Sequence, residues 1–436
     1  MTSLPETETI AAPSPPFAAF VAACFKVGCL GFGGPAGQIA LMHKVFVEEK
    51  KWIDEARYLH ALNYCMLLPG PEAQQLATYV GWLLHGVRGG VIAGLLFVLP
   101  GALIVLGLSW AYAAHAQAPV MAALFYGVKA AVVAFMAEAL YKVGKRALKR
   151  REHLLIAALA FLALFAFNAP FPLVILAAGV LGLLRARTQE QVPPSAPAPQ
   201  RGAWGTAIAW SALWLAPLAA SAVLLGPGHI LTAVGALFSV LALITFGGAY
   251  ATLAYLQQQA VDAQGWLTQT QMIDGLGLAE TTPGPLVLVN QYVGFLAGWQ
   301  AEGGGLALAL AAAAMASWCT FAPSFVWIFA GAPYAERLRA SARARGALEG
   351  VTAAVLGVIA SLALGFALHV LFTEDATIAA PWGARSPAPA LTSFDPIAAG
   401  IALAAGAALI RFKANAALVV LVCAAAGVAM GFVSQA

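Results

Sequence analysis

A glycine-rich segment, GFGGPAGQ at residues 31–38, has a spacing that could bind a nucleotide. Gly31, Gly33 and Ala36 fit the G-x-G-x-x-G/A turn that cradles a dinucleotide pyrophosphate. That turn needs a strand before it, a helix after it and a parallel sheet around it, and this sequence offers no such setting. A near copy, TFGGAYAT, begins at Thr245; it replaces the first glycine and keeps Phe-Gly-Gly. The two segments therefore share a break in a helix rather than a nucleotide fingerprint.

A second pair of breaks has the chemistry of an anion site. LPGP at 68–71 is matched by TPGP at 282–285. A helix must stop before the first proline, and the second proline suits the first turn of a new helix. The unpaired N–H groups at that new N-terminus carry about half a positive charge and attract anions. Glu72, Gln75 and Tyr79 follow on one helical face, as a solute path would require.

Ionisable side chains inside apolar segments are also functional candidates, because each costs about 2.5 to 3.5 kcal/mol at a membrane helix centre. Lys26 lies five residues before the first glycine break, and Lys129 lies in the middle of FYGVKAAVVAFMAE. Either lysine could assist anion binding. Glu72 and Glu280 flank the Pro-Gly-Pro segments, and each could carry a proton. Asp274 lies earlier in the segment that contains Glu280.

Each break also has a plainer interpretation, a packing kink. In hydrocarbon, the backbone groups that a break frees are tolerated only where protein buries them or they line an aqueous cavity. The presence of both kinds of break in both halves of the chain favours a paired binding site. Five cysteines occur without C-x-x-C or Cys/His ligand spacing. No disulfide framework, metal centre or other cofactor is therefore expected.

The elements that position these residues are predicted to be membrane helices. Of 436 residues, 61% are hydrophobic and 10% are charged, whereas soluble domains carry about 25% charge. The mean hydropathy is +0.82. This composition predicts an all-α polytopic membrane protein whose surroundings are the lipid bilayer, with no nucleic-acid partner.

The two halves of the chain repeat one another. GFGGPAG at Gly31 corresponds to TFGGAYA at Thr245, an offset of 214 (245 − 31), and Trp52 and Trp266 share that offset. Further along, FVLPG matches TFAPS and YGVKAAVV matches EGVTAAVL at an offset of 223. Landmarks in the same order at these spacings indicate an internal duplication. We predict a tail at 1–16, a first repeat at 17–187, a cytoplasmic linker at 188–203, a connecting transmembrane helix at 204–228 and a second repeat at 229–436.

Loop charge predicts the orientation of the repeats. Basic loops at 142–151, 185–201 and 335–345 are expected in the cytoplasm. The unmatched helix at 204–228 then inverts the second repeat, with the N-terminus cytoplasmic and the C-terminus periplasmic. The interrupted segments are either broken spanning helices or re-entrant hairpins, which gives about eleven to thirteen crossings. The loop after the first glycine break carries four lysine or arginine residues and its counterpart carries none, which favours hairpins.

Several segments resemble the chromate ion transporter family in its long two-domain form. They include FKVGCLGFGGPAGQIALMHKVFVEEKKWI, LLPGPEAQQLATYVG, FVLPGA and YGVKAAVVA, with the echoes TFGGAYATL, AETTPGPL and GVTAAVLG. The resemblance implies a bacterial inner-membrane carrier that exports chromate and is coupled to the proton motive force. Sulfate is the oxyanion that resembles this substrate. The family's signature positions here are Phe32, Gly33, Gly34, Pro35, Gln38, Trp52, Pro69, Gly70, Pro71 and Lys129, then Phe246, Gly247, Gly248, Trp266, Pro283, Gly284 and Pro285.

The second half departs from the family pattern at three positions. Ala249 and Tyr250 stand where many relatives have a third glycine and a histidine or similar polar residue. Thr352 stands where asparagine is common. These departures imply asymmetric binding, with the first half as the main substrate half.

Together these features predict a secondary active transporter rather than an enzyme. The expected partners are chromate or sulfate, protons as the coupling ion, and a second copy in a homodimer. A channel or scaffold of the same fold, and a membrane redox enzyme with a nucleotide site, are the alternatives. The predicted substrate-binding residues are Lys26, Gly33, Gly34, Pro35, Gln38, Pro69, Gly70, Pro71, Gln75, Lys129, Gly247, Gly248, Thr282, Pro283, Gly284 and Pro285, and the proton-coupling residues are Glu72 and Glu280.

Overall fold

The computed structural model describes residues 15–115, 118–185, 203–246, 249–331, 342–373, 375–379 and 385–433, with sixteen α-helices among them. The first seven are α1 (Phe17–Leu30), α2 (Gly34–His43), α3 (Glu55–Cys65), α4 (Glu72–His115), α5 (Pro119–Ala147), α6 (Arg151–Phe165) and α7 (Phe171–Arg185). After α8 (Ala203–Leu224) come α9 (Ile230–Ile244), α10 (Ala249–Leu256), α11 (Gln269–Thr281), α12 (Val289–Gln300), α13 (Leu306–Gly331), α14 (Ala342–Leu371), α15 (Pro396–Ile410) and α16 (Ala416–Val433).

Shorter elements complete the chain. Two π-helical turns cover Lys44–Glu49 and Gln257–Ala263, and two 3₁₀ turns cover Leu286–Leu288 and Leu391–Ser393. Strands β1 (Asp375–Ala379) and β2 (Arg385–Pro389) form one antiparallel ribbon, with Asp375 opposite Pro389. The predicted tail and cytoplasmic linker lie almost wholly outside the described residues.

Within the described residues, five helices are long and apolar enough to cross a bilayer: α4, α5, α8, α13 and α14. Much of the outer surface of these helices is apolar, as in the exposed Leu103 of α4 and Leu310 of α13. Apolar groups that face outward in this way suit contact with lipid rather than water. The prediction of an all-α polytopic membrane protein is confirmed.

The order of elements recurs in the two halves. Each half has a helix that ends at the Phe-Gly-Gly break, a short helix, a π turn, another helix, the Pro-Gly-Pro break and then longer helices. The π turns begin at Lys44 and Gln257, close to the offset of 214. Helix α8 has no counterpart and packs on α13. This recurrence agrees with the duplication inferred from sequence.

The chain reverses direction at the first Phe-Gly-Gly break. Lys26 Nζ in α1 lies 3.7 Å from Glu49 Oε2 at the end of the π turn. The rings of Phe20 and Trp52 have centroids 6.5 Å apart. An uninterrupted helix would separate Lys26 from Glu49 by about 35 Å, at about 1.5 Å per residue. Helix α2 therefore returns along α1, which favours the re-entrant hairpin over the broken spanning helix.

The chain also reverses at the first Pro-Gly-Pro break. The rings of Tyr64 in α3 and Tyr79 in α4 have centroids 5.7 Å apart, on opposite sides of that break. Helix α4 then kinks at His85 and Gly86, where the backbone is not helical. The His85 ring packs against Phe20 of α1 at 4.8 Å. The two hairpins of the first half thus lie side by side, with the kink of α4 packed against α1.

A network of charged side chains closes the outer end of these hairpins. His43 follows the first apolar run, and its two ring nitrogens lie 2.6 Å from Glu55 Oε2 and 3.1 Å from Glu48 Oε1. The hydrogen bond with Glu55 raises the pKa of His43. This network joins the π turn to the start of α3.

Equivalent helices of the two halves run antiparallel. The second segment of α4, residues 87–115, corresponds to α13. Gly90 faces Phe329, and Gly94 faces Phe325, so residue numbers rise along one helix as they fall along the other. Such an arrangement is the one expected for inverted repeats.

The two halves also interlock through their last helices. Helices α6 and α7 pack on α14 of the second half, and α15 and α16 pack on α5 of the first half. A Cβ atom at Gly127 of α5 would collide with the Cys423 carbonyl of α16. At the offset of 223, a Cβ at Gly350 of α14 would collide with the Ala178 carbonyl of α7. Small residues let the backbones approach this closely.

Replacement of Gly127 by alanine should therefore separate α5 from α16. We expect Gly127→Ala to destabilise the protein by about 1–3 kcal/mol because the added methyl overpacks a backbone contact. The measurement is the fraction of monodisperse protein left after heating in detergent. Gly144→Ala in the same helix is the control, since its Cβ would meet only the Leu356 side chain at 3.6 Å. Equal heat resistance of the two variants would contradict the interlocking contact.

Candidate functional site

The breaks of the two halves bond to each other at the centre of the molecule. Gly70 N donates to Thr245 O at 2.9 Å, and Gly284 N donates to Gly31 O at 2.9 Å. Each residue of the first pair lies 214 positions from a residue of the second pair. The Pro-Gly-Pro break of each half therefore satisfies a carbonyl at the Phe-Gly-Gly break of the other half.

Glycine is required at these turns by backbone conformation. The φ angles are +115° at Gly70 and +96° at Gly284, and they are +85° at Gly33 and +69° at Gly34. Glycine adopts this left-handed backbone region readily, and asparagine and aspartate adopt it less often. Other residues rarely do so. A Cβ at Gly33 or Gly34 would have no atom within 4 Å, so the constraint there is conformation rather than space.

Two buried glutamine side chains hold the breaks in place. Gln38 is fully buried, and its Nε2 donates to Gly31 O at 3.1 Å and to Gly284 O at 2.5 Å. Gln75 Nε2 donates to Pro69 O at 2.7 Å, across the first Pro-Gly-Pro break. Gln38 thus joins the first Phe-Gly-Gly break to the second Pro-Gly-Pro break.

A small cavity of about 20 Å³ lies where the breaks meet. This volume is enough for about one water molecule. All four interrupted segments contribute to its wall. The lining residues are Pro35, Gln38, Gly70, Pro71, Glu72, Ala73, Ala249, Pro285, Leu286 and Val287.

The wall of the cavity is built from the first turns of helices. Pro35 belongs to the first turn of α2, Glu72 begins α4, Ala249 begins α10, and Leu286 begins the 3₁₀ turn before α12. Each α-helical N-terminus carries about half a positive charge and unpaired N–H groups. Glu72 is the one ionisable residue among the lining residues. The arrangement can hold an anion, provided that Glu72 does not oppose it with a negative charge.

The structure brings together many of the predicted site residues. Pro35, Gln38, Gly70, Pro71 and Pro285 line the cavity, and Gly33, Gly34, Pro69, Gln75, Pro283 and Gly284 belong to the turns around it. Gly247 and Gly248 lie outside the described residues. Thr282 directly follows α11, and its Oγ1 donates a hydrogen bond to Ala279 O at 3.0 Å.

The two predicted lysines do not line this cavity. Lys26 is half-exposed and forms its ion pair with Glu49. Lys129 lies along α5, where it is close enough to Asp274 for an electrostatic interaction. The expectation that both lysines assist the breaks therefore finds no direct contact in the structure.

Glu280 occupies a buried site of its own beside the cavity. Tyr250 Oη donates to Glu280 Oε1 at 2.5 Å. Glu138 and Lys142 interact electrostatically with Glu280, and they form an ion pair with each other at 2.6 Å. Tyr250, which departs from the family pattern, thus supplies the hydrogen-bond partner of the buried Glu280 carboxylate.

Sequence reasoning missed a group of buried polar residues near the breaks. Gln74, Asn290, Gln291 and Ser324 are at most 5% exposed, and each has a buried side-chain atom without a hydrogen-bond partner. Ser324 Oγ lies 3.7 Å from a Cβ placed on Gly70. The available signal was the position of these side chains just after a break or at the S of TFAPS, inside apolar runs where polar groups are costly.

Comparisons with known proteins show which family the chain belongs to. The family model described as chromate transporter matches two segments, residues 18–183 and 232–428, which together form most of the chain. This chain belongs to the chromate transporter family. The two matched segments fall within the two repeats that were predicted from the offsets.

Relatives of this chromate transporter family member come from several bacteria. The chain is 32% identical to a chromate transport protein of Cupriavidus metallidurans over 337 residues, which covers 77% of this chain and 78% of that protein. It is 32% identical to a chromate transport protein of Pseudomonas aeruginosa over 345 residues, which covers 78% and 79% of the two chains. No solved structure matches the chain.

The conformation of Gly33 provides a test of the first Phe-Gly-Gly break. Gly33→Leu should lower oxyanion exchange about five- to thirtyfold, because a positive φ costs a branched residue about 1–2 kcal/mol. Gly33→Asn is the control, since asparagine tolerates this conformation and the site has space for it. The measurement is exchange in proteoliposomes at equal protein content. If both variants exchange like the wild type, the break is only a packing kink.

Proposed function

We propose that the protein is a secondary active transporter of chromate. The observation that supports this proposal is the convergence of four interrupted segments on one buried cavity, three of them through the N-terminus of an α-helix and one through a 3₁₀ turn. Discontinuous helices whose positive ends face a central site are a recurring solution for anionic substrates in carriers. The family membership supplies chromate as the substrate, and sulfate is the alternative tetrahedral dianion.

The observed cavity represents a closed arrangement in this proposal. It holds about one water molecule, so a tetrahedral dianion requires the breaks to separate. The hydrogen bonds from Gly70 to Thr245 and from Gly284 to Gly31 are the contacts that must change. The two hydrogen bonds are related by the repeat but lie at different breaks. Loss of one bond would therefore open the cavity at a different place from loss of the other. Such alternation between two repeats is the mechanism we infer for access from each side.

Two carboxyl groups are the proposed proton-coupling groups at the centre. Glu72 lines the cavity, so its protonation would remove a negative charge that repels the anion. Glu280 lies beside the cavity and is held by Tyr250. Substrate binding and proton binding would thereby influence each other through charge.

The cellular role that we propose is efflux of chromate driven by the proton motive force, which confers chromate resistance. The location would be the bacterial inner membrane, with the N-terminus in the cytoplasm and the C-terminus in the periplasm. Two inverted repeats, 17–187 and 229–436, joined by the connecting helix, form the proposed carrier. The antiparallel course of α4 and α13 supports this inversion.

Counterflow in proteoliposomes tests the function directly. Vesicles loaded with unlabelled chromate should transiently accumulate labelled chromate, and sulfate and molybdate loaded in parallel vesicles rank the substrates. Trans-stimulation is expected of a carrier and not of a channel. Failure of all three anions to drive counterflow would overturn the proposal.

Gln38 is the residue whose change should affect this counterflow most clearly. Gln38→Met should slow it about tenfold, because the loss of hydrogen bonds to two buried carbonyls costs about 1–3 kcal/mol. Gln264→Met, at an exposed loop position, is the matched control and should exchange like the wild type. Unchanged counterflow in Gln38→Met would show that Gln38 does not hold the transporting site.

A further inference from the structure

Asp274 of α11 is a buried carboxylate that the proposed anion site does not use. Its side chain is 3% exposed. Tyr112 Oη donates to Oδ2 at 2.9 Å, while Oδ1 is buried without a hydrogen-bond partner. No other carboxylate oxygen among the described residues is buried in this unpartnered way. A half-satisfied carboxylate in a low-dielectric interior is costly and requires an explanation.

The titratable groups around Asp274 come from several elements. Lys129 of α5 is the basic residue that interacts with it electrostatically. Tyr112 of α4 and Tyr292 of α12 stand beside it, with ring centroids 5.6 Å apart, and Tyr292 Oη donates to Gln271 O at 3.0 Å.

Three further elements pack on α11 without adding a charge that faces Asp274. The 3₁₀ turn at Leu286–Leu288 has no titratable residue, and helix α16 contains one, Cys423, whose carbonyl faces Gly127. In the second π turn, Asp262 is exposed and accepts from Gln257 at 3.3 Å.

One more titratable group lies a helical turn away. His369 Nε2 of α14 is 2.9 Å from Thr270 Oγ1 of α11. The charge state of Asp274 therefore depends on its burial, on Lys129 and on Tyr112, with His369 as the next titratable neighbour.

This environment supports two charge states of Asp274. The ionised form has the hydrogen bond from Tyr112 and the positive charge of Lys129 in its favour. The neutral form avoids the desolvation penalty of a buried charge. Most buried polar groups have all their hydrogen-bonding atoms satisfied. The unpartnered Oδ1 of Asp274 is an atom to which a proton can add while the hydrogen bond from Tyr112 to Oδ2 is kept.

Tyr112 connects Asp274 physically to the second Pro-Gly-Pro break. Gly101 and Tyr112 are eleven residues apart in α4, which places them on the same face of the helix. A Cβ at Gly101 would collide with the Pro283 carbonyl of that break. One face of α4 thus contacts both the break and the side chain that donates to Asp274. A shift of α4 against the break would move Tyr112 relative to Asp274.

We propose that Asp274 is a further proton-binding site of the transporter, whose proton loading is coupled to the second Pro-Gly-Pro break through Tyr112. This inference rests on the proposed transport function. In each cycle one proton from water adds to the Asp274 carboxylate, and the same proton leaves to water after the break has moved. No other bond forms or breaks. Lys129 acts here as the charge partner of Asp274.

The repeat adds an independent observation. The offset of 214 pairs Asp274 with His60, so α3 and α11 both have a protonatable residue at the same position. Histidine and aspartate differ in size, shape and charge, and they have in common the ability to exchange a proton. At this position the first half has His60, and the second half has the buried carboxylate of Asp274.

The test separates exchange from proton-driven accumulation in the same proteoliposomes. Asp274→Asn should keep chromate exchange in the absence of a gradient. Under an imposed pH gradient it should accumulate less chromate, because one coupled proton is lost while Glu72 and Glu280 remain. For a tenfold proton gradient, the concentration ratio should be about tenfold lower than that of the wild type. The wild type should sustain about a tenfold ratio per coupled proton for a tenfold proton gradient. Asp262→Asn is the control and should accumulate like the wild type.

The partner residue gives a second and graded readout. Tyr112→Phe should shift the pH profile of accumulation toward higher pH, because the hydrogen bond that favours the ionised carboxylate is lost. Asp274→Glu should restore the accumulation that asparagine lowers. If Asp274→Asn is absent from the membrane, the Tyr112→Phe profile decides, and an unshifted profile overturns the proposal.

The outcomes distinguish this inference from the proposed function. If the wild type exchanges none of the oxyanions, the proposed function fails. If the wild type exchanges and accumulates, and Asp274→Asn accumulates equally, only the role of Asp274 is wrong. Loss of both exchange and accumulation in folded Asp274→Asn would also overturn it, because it would indicate a structural or substrate-binding role.

Discussion

The structure depends on how it satisfies the backbone groups that four helix interruptions expose in the membrane interior. Water is scarce there, so each backbone N–H or C=O group without a hydrogen-bond partner costs several kcal/mol. The chain meets this cost by pairing the halves, since Gly70 bonds to Thr245 and Gly284 to Gly31. Each half thus satisfies a backbone group at a break of the other half. The centre is built from both repeats, and the interlocked outer helices keep the two halves in register.

The same requirement explains the types of residue around the centre. The turns need positive φ angles, which glycine provides, and the close approach of backbones excludes side chains at Gly101. Buried amides add further hydrogen bonds to the carbonyls of the breaks: Gln38 donates to Gly284 O and also to Gly31 O, which already accepts from Gly284 N. Such a centre offers many donors and little volume. Under the proposed function, an anion would enter this centre only by displacing internal hydrogen bonds.

The sequence predicts the elements well and their contacts poorly. Composition and the offsets at Trp52 and Trp266 predict the helical class and the recurring order of helices, because hydrophobic length and motif spacing are local properties. The paired breaks predict where the chain turns. The position of Lys129 against Asp274 could not be predicted, because it depends on how α5 packs beside α11. The amides at Gln74 and Asn290 were missed for the same reason, since an isolated polar residue in an apolar run has no unique partner.

Symmetry at the backbone level coexists with asymmetry in the titratable side chains. The hydrogen bonds between the breaks are exchanged by the repeat, yet Tyr250, Asp274 and Glu280 correspond to Ala36, His60 and Met66 in the first half. Backbone groups do not change charge, so a symmetric set of breaks can present similar sites to the two sides of a membrane. A proton-binding side chain needs no counterpart in the other half, because alternating access exposes the same group to each side in turn. The buried carboxylates Asp274 and Glu280 of α11 are therefore consistent with a division in which the breaks hold the anion and carboxyl groups beside them bind the proton.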